Sequence, residues 1–428
     1  MSASHRFLVP NLAHKLVKQY QQHSKLRNIQ HNYNATLRRL RKKAQEEKLR
    51  VIFYTNEPQK WSYDSLYREF ENSPYFSPSI VVVPRFRTHA GWDKTRMSLE
   101  DQFQFYSDRG YRVEYGYING EYLDIKTFSP DIFFYLQLAE VPGIDDPYIV
   151  SSYALTFYCP YSYQLSDYRR QYLQEFHRLL FTNYMEHPLT LARFEGYKKG
   201  NSKNCVAVGY PKLDIYLKPP SSNIDLTKYW RHPDKFRIIY APHPSFHLQD
   251  NNFRWGTFHQ NHEFILTLAK NNPETTWIFK PHPGLKSMIL KYKFMSEEEV
   301  NRYYDEWASI GNVYDSGDYF DIFKSSDLMI TDCGSFLAEY LPSQKPLIRL
   351  NRLDALPLNE LGEKFSECYY NAFNNDELLA YFEEIVIKKN DFLKERRIAA
   401  AKYLIDDTET SSHKIYTDIS NRLKIKLS

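Results

Sequence analysis

The sequence predicts an α/β protein built as two doubly wound domains facing a central cleft, with a basic helical arm in front of them. Three observations carry this. The 428 residues exceed what one ordinary core accommodates and suit two domains of roughly 200 residues each. Short apolar runs alternate with amphipathic stretches along most of the chain, as parallel sheets with crossover helices require. Finally, several of the apolar runs end in turns made of His, Pro, Gly and Ser, at the carboxyl ends where open sheets hold ligands.

The arm comes first. Residues 1–45 contain Arg6, Lys15, Lys18, Lys25, Arg27, Arg38, Arg39, Arg41, Lys42 and Lys43, and neither Asp nor Glu. Leu26, Ile29, Tyr33, Leu37 and Leu40 recur at helical spacing, so an amphipathic helix is expected. It is able either to lie on an anionic membrane surface or to pack on the globular body.

The first domain, 46–218, reads as strand Leu49 to Tyr54, helix Tyr63 to Phe70, strand Ile80 to Val83 and helix Ser98 to Tyr106. Tyr111 to Tyr117 and Asp131 to Leu136 continue the strands, and Tyr168 to Tyr184 reads as one longer helix. Cys205 to Asp214 ends a strand in a Gly-Pro turn, and the Pro- and Ser-rich run from Lys218 to Asn223 marks the boundary. The second domain, 219–428, restarts the alternation: strands at Ile238 to Ala241, Thr276 to Phe279, Asn312 to Tyr314, Leu328 to Ile330 and Pro346 to Leu350. Helices at Phe258 to Lys270, Ser296 to Ser309, Tyr319 to Ser325 and Phe336 to Leu341 separate them, and Asp376 to Ile385 and Asp391 to Leu404 follow.

Composition narrows the function. Hydrophobic residues make up 42% and aromatics 16%, with 36 Tyr and 28 Phe, which suits a globular protein. A net charge of +4 is too small for a dedicated nucleic-acid binder, so no nucleic-acid partner is expected. No apolar run is long enough for a membrane span, which predicts a cytoplasmic protein, with a peripheral position on the inner face of the membrane open to it through its arm. Cys159, Cys205, Cys333 and Cys368 are scattered without metal-ligand spacing, and Asp406-Asp407 reads as a helix end, so neither a metal nor another cofactor is expected.

The chemistry concentrates at three strand ends: Tyr240-Ala241-Pro242-His243-Pro244, Phe279-Lys280-Pro281-His282-Pro283 and Ile330-Thr331-Asp332-Cys333-Gly334-Ser335-Phe336. The last is a strand meeting a helix N-terminus through small residues, an arrangement whose backbone N–H groups and dipole favour phosphate. His187-Pro188 and His413 read as surface or packing residues.

At these residues the chain resembles the CDP-glycerol:poly(glycerophosphate) glycerophosphotransferase family of teichoic acid and capsule polymer synthesis. The matching pieces are Val208 to Asp214, Tyr240-Ala241-Pro242, Phe279 to Pro283, Ser326 to Asp332 with Gly334-Ser335, and Lys345 to Ile348. The resemblance implies a GT-B fold, a cytidine nucleotide on the C-terminal domain and an acceptor on the N-terminal one, with chemistry that needs no metal. It implies that Lys280 and His282 match the family's basic residue and active-site His, and that Thr331, Asp332 and Ser335 match its phosphate-binding turn. One departure is that the family's N-domain His-Gly motif has its nearest counterpart in Tyr158-Cys159-Pro160, which has no His.

The expected reaction moves glycerol phosphate, or a related alditol phosphate, from a CDP-linked donor to a hydroxyl of a polymer or lipid-linked acceptor, releasing CMP. His282, with His243 second, is the expected proton acceptor. Lys280, the turn at Gly334, Ser335 and Phe336, and Pro242 line the diphosphate, and Glu339 reaches the ribose. An inverting glycosyltransferase using a CMP-, CDP- or UDP-sugar, and a non-catalytic scaffold, are the alternatives.

Overall fold

The computed structural model describes residues 8–85, 97–141, 143–197, 202–217, 224–247, 253–315, 319–405 and 408–426, with side chains from residue 24 onward except those of 170 and 171. The expected boundary at 218–223 and the pair 406–407 lie outside these residues.

Seven parallel strands form the N-terminal sheet: β1 (Leu49–Thr55), β2 (Phe76–Val82), β3 (Val113–Tyr115), β6 (Ile132–Tyr135), β7 (Leu155–Tyr158), β8 (Thr182–Met185) and β9 (Cys205–Ala207). A hairpin of β4 (Tyr117–Ile118) and β5 (Glu121–Tyr122) stands beside it. The sheet order is β3-β2-β1-β6-β7-β8-β9, so winding reverses between β1 and β6. Because helices cover both faces, a central strand such as β6, Ile-Phe-Phe-Tyr, is buried at every residue.

The C-terminal sheet is parallel too: β10 (Phe236–Ala241), β11 (Thr275–Phe279), β12 (Asn312–Val313), β13 (Leu328–Thr331), β14 (Leu347–Leu350) and β15 (Tyr370–Ala372). Its order, β12-β11-β10-β13-β14-β15, reverses between β10 and β13. The two doubly wound domains give the expected GT-B-like α/β architecture.

One local expectation is corrected, and of the two alternatives for the arm the packed one is observed. The helix expected over 168–184 is two short turns, Arg169–Tyr172 and Glu175–Leu179, followed by β8. Thr182 to Met185 are all buried, and β8 bridges β7 and β9, so strand pairing overrides the helical reading.

The arm is helical as α1 (Leu8–Lys43), but its apolar stripe faces inward. Ile29, Tyr33 and Leu40 are buried in the N-terminal core, and Leu26 and Leu37 pack against it. Lys43 donates to the buried Asp131 carboxylate at 2.7 Å, with Arg39 on its other oxygen at 3.3 Å. With its apolar face committed to the body, the helix retains an outer basic face of Arg27, Arg38 and Lys42.

The end of the chain adds a contact between the domains. Helix Ser411–Leu423 crosses back from the C-terminal domain and buries Ile415, Ile419 and Leu423 in the N-terminal core. Asp214 accepts the backbone N–H groups of Ser411 and Ser412, both at 2.9 Å, and so holds this crossing against the earlier one. Gly209, at φ +95°, lets the two segments touch, since any β-carbon there would collide with Ser411.

Candidate functional site

The reversal point between β10 and β13 brings the predicted turns together. Thr331 Oγ1 donates to Ala241 O at 2.6 Å, the His243 N–H donates to Asp332 Oδ1 at 2.6 Å, and the His282 N–H donates to Pro242 O at 3.1 Å. These bonds hold the His243 and His282 rings 5.5 Å apart. The expected convergence of the strand ends is therefore present.

Each ring is set by its own His-Pro turn. In His282-Pro283-Gly284 the Gly284 N–H donates to His282 Nδ1 at 3.0 Å; in His243-Pro244-Ser245 the Ser245 N–H does the same at 3.3 Å. Ser245 Oγ, which accepts the Trp255 N–H at 3.1 Å, lies 2.8 Å from His243 Nδ1 and donates to it. An imidazole that accepts at Nδ1 carries its proton on Nε2 when neutral. Burial, with His282 nearby, pushes His243 well below the ordinary imidazole range, so it stays neutral and presents an N–H. Donation suits these rings better than the proton acceptance expected of them.

Lys280 follows β11 and is buried, its ammonium 4.6 Å from the centre of the Tyr319 ring and 5.4 Å from that of Phe336. Burial lowers its pKa to about 8, which leaves it mostly charged at neutral pH. Tyr319 also receives Lys212 Nζ on its hydroxyl and donates to Glu339. Glu339 is only 1% exposed and lies 3.6 Å from Lys212, so it belongs to a buried Lys–Tyr–Glu knot between the domains and is not a solvated helix carboxylate.

The glycine turn is more enclosed than its sequence suggests. Asp332 accepts the Thr257 N–H at 2.6 Å and the Thr257 hydroxyl at 2.9 Å besides the His243 amide, so its carboxylate clips the β10 loop to the β13 turn. Burial still raises it to about 6. The Trp255 indole lies on Gly334, where a β-carbon would collide with it, while Ser335 keeps partial exposure. Arg352 holds the Trp255 loop by donating to Phe246 O at 2.6 Å and Gly256 O at 2.9 Å.

Beside this centre a cleft of about 340 Å³ opens between the domains. Trp61, Ser62, Asp64, Arg109 and Tyr111 form its N-terminal wall, and Lys212 and Tyr319 its other side. The N-domain strand end sought for a second base carries Cys159, which is fully buried and pushed well above the usual thiol range by burial. Sequence reading missed Tyr319, Trp255, Ser62 and Asp64; Lys212 lay inside the Pro211-Lys212 motif, but without a partner to mark it.

Residues 183–354 match the family described as CDP-Glycerol:Poly(glycerophosphate) glycerophosphotransferase. Over that span the expected resemblance is shown. The span matched by this transferase family holds most of β8, all of β9 to β14, and the predicted residues at the ends of β10, β11 and β13. No curated protein sequence matches the chain. In fold it is similar to the S. aureus MnaA–UDP co-structure (12% identity, 88% of this chain and 98% of that one, TM-score 0.55). It is also similar to UDP-GlcNAc 2-epimerase from Neisseria meningitidis bound to UDP-GlcNAc (10% identity, 87% and 100%, TM-score 0.57). A glycosyltransferase from Rickettsia africae shares the fold as well (12% identity, 89% and 100%, TM-score 0.50).

Proposed function

We propose that this protein is a transferase that moves glycerol phosphate, or a closely related alditol phosphate, from a CDP-linked donor to a hydroxyl of a teichoic-acid-like or capsule polymer, releasing CMP. The observation that carries the reading is the pairing of the His243 and His282 rings at the β10–β13 reversal, with Lys280 at the end of neighbouring β11, inside the segment matched by the family. The acceptor oxygen attacks the distal phosphorus, the bridging P–O bond breaks, and CMP leaves with the charge. Lys280 supplies a cation to the separating diphosphate, and two Nε2–H groups supply hydrogen bonds that strengthen as charge develops. Ser335 and the amides of Gly334 and Phe336 complete the phosphate cradle once Trp255 yields, with Thr331, Asp332 and Pro242 holding the turns in place. Glu339 orders Lys212 and Tyr319 beside the nucleotide. This chemistry draws on protein groups and the nucleotide donor, with no metal or further cofactor in a named role.

The outer face of α1, with Arg27, Arg38 and Lys42, suits an anionic membrane surface and supports a peripheral position at the inner face of the membrane, beside a lipid-linked acceptor. Purified protein incubated with CDP-glycerol, CDP-ribitol and CMP-, CDP- and UDP-sugars, with released nucleotide measured, tests the reading. CMP from a CDP-alditol is the expected result; release only from a sugar nucleotide overturns it. A sugar-nucleotide transferase is the second reading, favoured by the UDP and UDP-GlcNAc bound to proteins of the same fold. Thermal stabilisation by none of these nucleotides supports a non-catalytic scaffold.

A further inference from the structure

Both C-domain imidazoles accept a backbone or side-chain donor at Nδ1, so the proton of the attacking hydroxyl needs another destination. Among the described residues that line the interdomain cleft, one is a carboxylate, Asp64. Asp64 is the first residue of helix Asp64–Asn72 and partly exposed, and its Oδ1 accepts the Tyr111 hydroxyl. That hydroxyl in turn accepts the Trp61 indole N–H at 3.2 Å. The relay from Trp61 through Tyr111 fixes the direction of the carboxylate, as an orienting group does for a base. A second observation on the same wall also points to a ligand. Ser62 is 3% exposed, lines the cleft, and its hydroxyl has no hydrogen-bond partner among the described residues. An unsatisfied buried hydroxyl costs free energy that a bound polar group would recover.

We propose that Ser62 and Asp64 form the seat of the acceptor hydroxyl, with Asp64 as the group that takes its proton. The proposal rests on the transferase reading above and names the acceptor side of it. The acceptor class is a polyol or sugar hydroxyl borne on a phosphate chain. Trp61, Phe105 and Tyr111 offer aromatic walls to the carbon skeleton, and Arg109, packed 3.7 Å over Phe105 at the rim, offers charge to a neighbouring phosphodiester. In the step, the hydroxyl oxygen forms a bond to the distal phosphorus of the donor as its proton passes to Asp64. The bridging P–O bond breaks, CMP carries away the electron pair, and Asp64 later loses the proton to solvent.

The test uses the full chain with CDP-glycerol as donor and glycerophosphoglycerol as probe acceptor. Asp64→Asn should lower kcat about 10²- to 10⁴-fold, as loss of a general base does, while thermal stabilisation by CMP is unchanged. Asp64→Glu should recover part of that loss, and Ser62→Ala should raise the acceptor KM several-fold with little change in kcat. A kcat for Asp64→Asn close to that of the parent at saturating acceptor overturns the proposal, as does an equal loss in Asp64→Asn and Asp64→Glu. If the parent releases no CMP, the transferase reading fails instead, and the seat is judged by direct binding of glycerophosphoglycerol. Weaker binding to Ser62→Ala and Asp64→Asn than to the parent supports it, and equal binding or none overturns it.

Discussion

Two His-Pro turns of the same local design end up in opposite situations. His187-Pro188 follows β8, and the Leu189 N–H donates to His187 Nδ1 at 3.1 Å, as the Gly284 N–H does to His282. The N-domain ring is buried against Tyr403, and burial with Lys364 nearby lowers it to about 4. His282 instead keeps partial exposure beside His243 at the sheet reversal. The dipeptide fixes a tautomer; the topology decides whether that tautomer meets a ligand.

The largest expected difference between the two comes from truncation. His282→Ala should lower kcat about 10²- to 10³-fold, the loss typical of one transition-state hydrogen-bond donor, with an unchanged melting curve. His187→Ala should lower stability and leave kcat nearly unchanged, so equal kinetic losses in the two variants would erase the distinction.

Charge at the same centre gives the next effect. Lys280 loses its proton as pH rises through about 8, so donor KM should climb roughly tenfold between neutral and strongly alkaline pH. Lys280→Met should show a high KM that lacks this rise.

The roof over the glycine turn comes third. Gly334→Ala drives a methyl into the Trp255 indole and should cost about 1–3 kcal/mol in denaturant unfolding. Pairing it with Trp255→Ala should recover most of that cost.

The smallest effect belongs to the residue before His187. Glu186 is fully buried, one carboxyl oxygen lacks a partner among the described residues, and burial raises its pKa to about 7. Its folded-state pKa lies above the unfolded value, so the native state binds the proton more tightly, and stability falls as pH rises toward and through about 7. Glu186→Gln should therefore raise Tm at pH 8 and make little difference near pH 4.

The contrast also shows what a sequence discloses. The strands β10, β11, β13 and β14 lay within a residue or two of expectation, because doubly buried parallel strands are short apolar runs ended by turn residues. The candidate residues on their ends could be placed for the same reason. Tyr319, Trp255 and Asp64 were not, since nothing in their spacing distinguishes a cleft residue from a core aromatic or a first-turn carboxylate. Asp332 was legible as the end of a strand, but its hydrogen bonds to Thr257 and His243 arise only when distant loops meet. Helix Ser411–Leu423 has an ordinary amphipathic pattern, which states that one face is buried but not which domain buries it.

That returning helix has a mechanical consequence. The polypeptide passes between the lobes twice, and Asp214 with Gly209 binds the two passages side by side at Ser411. The two passages therefore form one seam, and Lys212, two residues from Asp214, ties that seam to Tyr319 and Glu339 in the C-terminal lobe.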